Sequence, residues 1–311
     1  MVHKVLLVGA GHIGLRHTES LYELASSKKI YIEVHIKDVR NLVDLRDKFS
    51  SRYFSVVVLE QNQYIKGTHY RLGIFSTTAS VRFKELQKSM LSDVFDFILL
   101  EKPLATTLED LNKIENLNSK DQYFVNLPRE YMHDYKKLKL RHNSNIRKII
   151  IEGGAINLAS NSLHFLRLIE WLSESQIISL KLNNGFKKVE SKYLGYFEIL
   201  GSFQGITDTD CYFELNSFNN SEVTSIVIEY ENAEFYRYLE LDSTKSSSEI
   251  FANQLNLEYQ STLTSRYFQE ILNQKSLSLP KFSQVKHLEQ MTIPILGSAG
   301  LIDDFGRLNI H

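Results

Sequence analysis

The sequence predicts an α/β protein, with a doubly wound parallel sheet in its first half and an α+β domain in its second half. Two observations predict this fold class. Short apolar runs alternate with helical patterns as far as residue 126, whereas from residue 178 several strand patterns follow one another with turn signals between them. The length of 311 residues fits two domains. We expect these domains to be 1–126 and 127–311.

The predicted parallel sheet is built from short apolar runs. The first run, at 5–8, is apolar throughout, as in a strand that is buried on both faces. Further strands are predicted at 30–36, 55–59, 71–75, 97–100 and 122–125. Helical patterns lie between the strands, at 13–26, 41–50, 80–92 and 107–118. This alternation predicts a complete Rossmann domain by residue 125.

The second half has a different pattern. A strand at 149–154 ends in glycines, and a helix is predicted at 163–172. Between 178 and 241 several strands are separated by turn signals, at 183–185, Gly201 and 219–220. Helices are expected again at 260–275 and 283–292. Because the strands follow one another directly, we expect an antiparallel sheet.

Charge, cysteine content and hydropathy exclude several classes of function. The chain carries 36 Lys+Arg and 37 Asp+Glu, so it lacks the basic excess that nucleic acid or an anionic membrane attracts. Its single cysteine, Cys211, excludes a disulfide framework, and the histidines show no metal-ligand spacing. No apolar run is long enough for a transmembrane helix or a signal peptide. We expect a soluble, cytoplasmic protein with a small-molecule substrate and without metal, nucleic-acid or membrane partners.

Three glycines form a G-x-G-x-x-G motif between the first strand and the first helix. Gly9 permits a tight turn, Gly11 lets the backbone approach a pyrophosphate, and Gly14 lets helix and strand pack closely. The helix start, with His12 and Ile13, offers backbone amides to the phosphates. A ligand-free glycine turn is the alternative. The flanking strand and helix favour a nicotinamide dinucleotide.

Asp38 ends the second predicted strand. An acid at this point accepts hydrogen bonds from the adenosine ribose hydroxyls, which favours NAD. Lys37 and Arg40 flank it, and Arg40 can hold a 2′-phosphate, so NADP stays open. The other interpretation of Asp38 is a turn acid at the end of a strand.

Polar residues follow the fourth and fifth strands. Ser76, Thr77 and Thr78 are expected to line the cofactor crevice, although they equally suit a helix cap. Glu101 and Lys102, followed by a proline, end the fifth strand, and both are expected to bind the cofactor. An ammonium there would lie beside the nicotinamide and polarise a carbonyl or hydroxyl oxygen. On composition alone, Lys102 would be an ordinary surface lysine.

Three segments together resemble the glucose–fructose oxidoreductase / inositol dehydrogenase (Gfo/Idh/MocA) family. They are the glycine motif continued to His17, the Glu-Lys-Pro run at 101–103, and the glycine pair with its histidine-bearing helix at 153–172. The resemblance implies that the second domain has an open, mainly antiparallel sheet. It implies reversible oxidation of a sugar or cyclitol hydroxyl with NAD or NADP, and a homo-oligomer, a dimer or tetramer, formed through one sheet face.

The same resemblance assigns catalytic roles. Lys102 matches the family's catalytic lysine, and His164 matches the histidine that accepts or donates the substrate proton. Many members have aspartates where this chain has Ser160 and Arg167. Asn161 lies one helical turn from His164 and is expected to orient the substrate in their place.

Two further residues follow the sixth strand, where the family has polar and basic residues near the substrate. We expect Asn126 to contact the substrate. Arg129 can bind a carboxylate or phosphate of the substrate, and an internal salt bridge is an equal alternative.

The sequence therefore supports two hypotheses. The first is an NAD(P)-dependent oxidoreductase acting on a sugar, cyclitol or nucleotide sugar, with a resemblance to members linked to surface-polysaccharide sugar synthesis. The second is a dinucleotide-binding sensor or regulatory protein that has lost turnover, motivated by Ser160 in place of the usual aspartate.

Overall fold

A computed structural model describes most of the chain. The described residues are 2–40, 42, 44–60, 67–140, 145–154, 156–218, 223–242 and 253–310. Within them the contacts divide the chain into two compact units. The first unit comprises Met1–Ala105, Glu109–Asn126 and Tyr259–Gln284; the second comprises Thr106–Leu108, Leu127–Glu258 and Val285–His311.

The first unit contains the predicted parallel sheet. Its strands in the described residues are β1 (Val2–Val8), β2 (Tyr31–Lys37), β3 (Phe54–Leu59), β4 (His69–Phe75), β5 (Val94–Leu100) and β6 (Tyr123–Val125). They pair in the order β3-β2-β1-β4-β5-β6, and every pairing is parallel. The prediction of a doubly wound Rossmann sheet is confirmed. The strand order reverses beside β1, where ligands bind in such sheets.

Helices cover this sheet. They are α1 (His12–Lys28), α2 (Asp44–Lys48), α3 (Ala79–Ser92) and α4 (Leu108–Leu117). Helix α2 is shorter than the predicted 41–50, of which positions 41 and 43 lie outside the described residues. Its short DLRDK sequence has no buried residue, so packing does not extend it.

The second unit is built on a mixed sheet. Its strands are β7 (Ile146–Gly153), β8 (Ile177–Leu182), β9 (Lys187–Glu190), β10 (Phe197–Thr207), β11 (Tyr212–Ser217), β12 (Thr224–Tyr230), β13 (Phe235–Asp242) and β14 (Gln254–Leu257). The order is β14-β13-β12-β7-β11-β10-β8, and β9 pairs with β10. Strands β7 and β11, and β13 and β14, pair in parallel, whereas the other pairings are antiparallel. The mainly antiparallel sheet is confirmed; the predicted turn at 219–220 lies outside the described residues.

Further helices begin after the sixth strand. A 3-10 helix at Pro128–Tyr131 leads into α5 (His133–Leu140), and α6 (Leu158–Ser173), α7 (Gln260–Gln274) and α8 (Phe282–Ser298) follow. The sequence did not predict α5, because its two buried residues lie among lysines and give only a weak apolar pattern. Helix α8 continues through Pro294, beyond the predicted end at 292. In the described parts of the chain, no helix is long and apolar enough to cross a membrane.

The division into units differs from the predicted 1–126 and 127–311 in two respects. One boundary lies between Asn126 and Leu127, but residues 106–108 belong to the second unit and residues 259–284 belong to the first. The reason is that α7 packs along α1, where the Ser265 amide donates to Ser20 Oγ at 2.8 Å. Sequence patterns do not reveal such a return, because it depends on a long-range helix contact.

Candidate active site

The glycine turn has the geometry of a phosphate cradle. Gly9 has a φ of +89°, and a Cβ there would lie 2.8 Å from the Thr77 amide nitrogen. A Cβ at Gly14 would lie 2.1 Å from the Gly9 carbonyl oxygen. At Gly11 a Cβ would meet nothing within 4 Å. Two glycines are therefore required by packing, while Gly11 leaves open space at the start of α1 that suits a pyrophosphate.

The first turn of α1 is electrostatically suited to an anion. The turn itself contains no acidic residue, although the Asp38 carboxylate accepts from the Ala10 amide just before it. His12 and Ile13 are both exposed there. The structure thus places the motif residues predicted to bind the cofactor at the start of a helix, where backbone amides can bind an anion.

Asp38 and Arg40 form a compact ion pair beyond the end of β2. Asp38 Oδ2 accepts from the Ala10 amide at 2.6 Å, and Oδ1 accepts from Arg40 Nε at 2.9 Å. Burial alone would raise the pKa of Asp38, but the hydrogen bonds and charge of Arg40 and the Ala10 amide lower it below its usual value. Asp38 is therefore an anion, and the Arg40 side chain is 54% exposed beside it.

The loop after β4 closes the other side of the turn. Ser76 Oγ donates to the Gly9 carbonyl at 2.5 Å, so Ser76 fixes the turn. Thr77 Oγ1 is buried and has no hydrogen-bond partner among the described residues. Thr78 precedes α3 but makes no side-chain capping bond to it. Of these three, Thr77 presents a polar atom that a ligand can satisfy.

Glu101 is held inside the first unit. It is 9% exposed, and its Oε1 accepts from His17 Nε2 at 3.0 Å and from Asn126 Nδ2 at 2.5 Å. Burial alone would raise the pKa of Glu101, but these hydrogen bonds and the charges of His17 and Lys102 lower it. The carboxylate that the sequence assigned to cofactor binding is thus ionised and engaged by the protein.

His17 links Glu101 to the C-terminal part of the unit, and sequence reasoning missed this role. It is fully buried, and its Nδ1 lies 2.8 Å from Thr264 Oγ1. Gln260 Nε2 donates to the same hydroxyl at 2.9 Å. The available signal was weak: His17 lies one helical turn before Leu21, on the buried face of α1.

Lys102 is partly exposed between two buried residues, Glu101 and Pro103. Arg82 is 1% exposed and donates to the carbonyl of Pro103. It also donates to the carbonyl of Thr77, at 2.5 Å. Arg82 therefore ties the loop after β5 to the loop after β4, a role that no local sequence pattern indicated.

Asn126 lies at the end of β6 and is 4% exposed. Its Nδ2 donates to Glu101 and also to Gln260 Oε1, at 2.8 Å. Its Oδ1 is buried without a hydrogen-bond partner among the described residues. The amide nitrogen is therefore committed to the protein, and the oxygen remains as an acceptor.

The second unit carries the predicted proton-transfer residue on α6. Asn161 and His164 both lie on this helix and are partly exposed. They belong to a stripe of partly exposed positions at helical spacing, which comprises Ser160, Asn161, His164, Arg167 and Trp171. The remainder of the helix is mostly buried. One face of α6 is thus polar and partly exposed.

A remote carboxylate caps α6. Glu198, on β10, is 7% exposed, and its Oε2 accepts from the Ala159 amide at 3.1 Å and from the Ser160 amide at 3.3 Å. A carboxylate at this position complements the positive helix end. Glu198 was not predicted, because it is distant in sequence from the helix that it caps.

Arg167, where many members of the resembled family have an aspartate, is paired within the second unit. Its Nη2 lies 3.0 Å from Glu130 Oε2, and its Nη1 lies 3.6 Å from Glu170 Oε2. Burial raises the pKa of Glu130, although Arg167 partly offsets the effect. The basic residue at this position is thus balanced by carboxylates.

Arg129 makes the internal salt bridge that the sequence left as an alternative. Its Nε and Nη2 contact the two carboxylate oxygens of Glu240, at 2.6 and 3.0 Å. Glu240 is 5% exposed and also accepts from the Tyr135 hydroxyl. The guanidinium lies 4.2 Å from the centroid of the Phe165 ring. Such contacts give Arg129 a structural role beside α6.

The predicted site residues are thus distributed over both units. The glycine turn, Asp38, the β4 loop, Lys102 and Asn126 belong to the first unit, at the carboxyl edge of the parallel sheet. Arg129, Asn161 and His164 belong to the second.

Comparisons with known proteins extend the resemblance at the level of structure. No protein-family sequence model matches the chain, and a search of curated proteins finds no significant match. The WlbA dehydrogenase from Bordetella pertussis, solved with NADH and UDP-GlcNAcA, is 15% identical, with a TM-score of 0.67 over 100% of this chain and 99% of that chain.

Two other solved structures are similar over nearly their whole lengths. Myo-inositol 2-dehydrogenase from Lactobacillus plantarum has a TM-score of 0.68 at 10% identity, covering 100% of both chains. UDP-N-acetylglucosamine 3-dehydrogenase GnnA from Acidithiobacillus ferrooxidans has a TM-score of 0.64 at 10% identity, covering 95% of this chain and 97% of that chain. The chain therefore has the fold of the Gfo/Idh/MocA-type dehydrogenases, as its motifs predicted.

Proposed function

We propose that this protein is an NAD(P)-dependent oxidoreductase that acts on a hydroxyl or carbonyl group of a sugar, cyclitol or nucleotide sugar. The observation that carries the proposal is the phosphate cradle at Gly11, on the sheet edge that also carries Lys102. The dehydrogenases with the same fold support it. A soluble, cytoplasmic protein and a role in surface-polysaccharide sugar synthesis are the finer parts of the proposal.

The first unit would hold the dinucleotide. The amides at the start of α1 would bind the pyrophosphate over Gly11, and Asp38 would accept the adenosine ribose hydroxyls. Thr77 Oγ1 and Asn126 Oδ1 are buried and unpartnered among the described residues, so they suit polar groups of such a ligand. When bound, the nicotinamide supplies the acceptor or donor of the hydride.

The chain's own residues would manage the proton and the oxygen charge. Lys102 would donate a hydrogen bond to the substrate oxygen and stabilise its developing negative charge. His164 would take the hydroxyl proton during oxidation and return it during reduction. Asn161 lies one turn before His164 on the same face of α6 and would orient the substrate by a hydrogen bond to a second hydroxyl group, next to the one that reacts.

The experiment is a coupled measurement of binding and turnover. NADH and NADPH binding is followed by fluorescence, and reduction of NAD+ and NADP+ is followed at 340 nm against inositols, hexoses and UDP-sugars. We expect turnover with at least one substrate, its loss in Lys102→Ala, and retained NADH binding in that variant. Lys187→Ala, at an exposed position of β9, is the matched control and should retain activity. Turnover that survives Lys102→Ala would contradict the catalytic assignment.

A dinucleotide-binding sensor is the second candidate. The helix that carries His164 has Ser160 and Arg167 where many members of the resembled family have aspartates, and Arg167 is paired with Glu130. Such a helix has fewer groups to relay a proton. Tight NADH binding without turnover on any member of the panel would favour the sensor over the enzyme.

A further inference from the structure

Lys102 is flanked in the chain by two buried anchors. On one side Glu101 is engaged by His17 and Asn126, and on the other side the Pro103 carbonyl is engaged by Arg82. We propose that Glu101 and Arg82 are positioning residues that fix the Lys102 backbone, and that α7 supports Glu101 through His17. The catalytic consequence of this arrangement rests on the function proposed above.

The anchor at Glu101 is well defined. Its backbone amide donates to the Phe75 carbonyl at 3.2 Å, which continues the pairing of β4 and β5. Its side chain is turned into the unit, where His17 and Asn126 both donate to Oε1. Because an ionised carboxylate buried with several donors is costly to displace, the residue cannot rotate without breaking these bonds.

The same anchor reaches α7, which returns to the first unit from the far end of the chain. Thr264 and Gln260 of α7 contact each other at 2.9 Å, and each also bonds to one of the donors of Glu101. Thr264 contacts His17, and Gln260 contacts Asn126. A closed ring of hydrogen bonds therefore joins the Glu101 carboxylate, its donors His17 and Asn126, and helix α7. Helix α7 thus restrains both donors of Glu101.

Arg82 is the second anchor. The residue is 1% exposed, and the two terminal nitrogens of its guanidinium donate to the carbonyls of Pro103 and Thr77. It thereby fixes the peptide bond that follows Pro103, one residue beyond Lys102. The backbone of a catalytic lysine needs a fixed position, because a displacement of about 1 Å at a catalytic group can cost about 100-fold in rate.

The charge of Glu101 also matters to Lys102. The two residues are adjacent in sequence, and the ammonium of Lys102 contributes to lowering the pKa of the Glu101 carboxyl. Removing the carboxylate takes away this attraction and one of the two backbone anchors, so the Lys102 side chain should become less restrained and more accessible to a reagent.

The test measures Lys102 directly, without any substrate. The intact protein is acetylated briefly with acetic anhydride, and the rate at Lys102 is measured by peptide mass spectrometry relative to the exposed Lys187. We expect the relative rate to rise several-fold in Glu101→Gln and in Arg82→Lys. Thr264→Val, a milder change at the far side of His17, should raise it less. If Glu101→Gln and Arg82→Lys do not fold, the rate in Thr264→Val still tests the proposal.

Ser20→Ala is the matched control. Ser20 is buried in α1 and accepts from the Ser265 amide of α7, but it does not touch the ring around Glu101. Its relative Lys102 rate should equal that of the unchanged protein. An unchanged rate in every folded variant of Glu101, Arg82 and Thr264 would overturn the proposal.

Measurements of kcat and of the Kd for NADH distinguish a failure of this proposal from a failure of the proposed function. With an active substrate, kcat should fall about 10- to 100-fold in Glu101→Gln while the Kd for NADH stays within about twofold. A large kcat loss without a change in Lys102 reactivity would overturn positioning. If no substrate is ever turned over but Lys102 reactivity rises as expected, the positioning role stands and the enzymatic function fails.

Discussion

At the scale of single residues, the glycines of one motif are needed for different physical reasons. The Cβ of an alanine at position 14 would overlap the Gly9 carbonyl, whereas at position 11 it would enter open space. Packing therefore requires Gly14 but not Gly11, and we expect a bound dinucleotide to require Gly11. A sequence motif cannot separate these reasons, because both positions simply read as glycine.

Alanine substitutions should separate them. Gly14→Ala should lower the free energy of unfolding by at least about 2 kcal/mol, because a backbone atom cannot move aside cheaply. Gly11→Ala should leave that free energy within about 1 kcal/mol but weaken NADH binding about tenfold or more. Urea denaturation and NADH fluorescence measure the two effects. Equal stability losses in both variants would contradict the assignment.

Arg40 should determine how well the protein accepts NADP. Its guanidinium is half-exposed beside the Asp38 carboxylate and offers donors that fit a 2′-phosphate. Arg40→Ala removes these donors and leaves the charge of Asp38 unbalanced. We expect NADPH binding to weaken about tenfold and NADH binding to change less than about threefold. A parallel loss of both affinities would instead indicate a collapsed turn.

The ionised Glu101 predicts a pH dependence of stability. The pKa of Glu101 is lower in the folded protein than its ordinary value of 4.5, so the carboxylate contributes stability that is complete above that value. The contribution is lost as the pH falls through the folded pKa. The difference in unfolding free energy between the unchanged protein and Glu101→Gln should be constant above about pH 5.5 and shrink in acid. A difference that stays constant down to about pH 3 would contradict the lowered pKa.

At the scale of elements, helix α6 depends on a strand that follows it. Its N-terminal amides are satisfied by Glu198 of β10, and its preceding residue, Asn157, adopts a left-handed conformation with φ 50°. The polar start of the helix, with Ser160 and Asn161, carries little apolar signal. The prediction therefore began the helix at 163, whereas the structure begins it at Leu158.

Removing the remote cap should loosen this helix. Glu198→Ala should lower the free energy of unfolding by about 1–2 kcal/mol, as other lost N-caps do. Glu198→Gln keeps an acceptor and should lose less. Glu190→Ala, at an exposed position of the neighbouring β9, is the control and should change stability by less than about 0.5 kcal/mol. A Glu198→Ala loss no larger than that of the control would exclude a capping role.

The strands were more predictable than the helices. Each strand of the parallel sheet is a short apolar run, because both of its faces are covered. The helices differ because their burial is partial: α5 has buried Tyr135 and Leu138 among lysines, and α8 tolerates Pro294 within a long packed helix. Tertiary packing decided those bounds, and local propensity did not.

At the scale of the whole molecule, the expected homo-oligomer is a proposal that a mass measurement can test. The open sheet of the second unit is the surface through which dehydrogenases of the resembled family are expected to associate. Light scattering after size exclusion should give a multiple of the chain mass of 36.1 kDa, a dimer or a tetramer. A single-chain mass at micromolar concentration would contradict this expectation.

The sequence by itself determined the fold class, and it predicted the motifs of the candidate site. Apolar periodicity and the G-x-G-x-x-G turn are local, and each strand or loop carries its own signal in adjacent residues. Gly9, Gly11 and Asp38 were predicted in this way, whereas the catalytic role predicted for Lys102 came from the family resemblance. The local signal also left the NAD or NADP choice and the role of Arg129 open.

Only the tertiary structure decided which groups support these residues. His17, Arg82 and Glu198 act through partners that are distant in sequence, and α7 joins the first unit from beyond the second sheet. A buried charge is stable only beside its partner, and the identity of that partner is fixed by packing rather than by spacing along the chain. The hydrogen bonds that hold the residues on either side of Lys102 therefore form only in the folded unit.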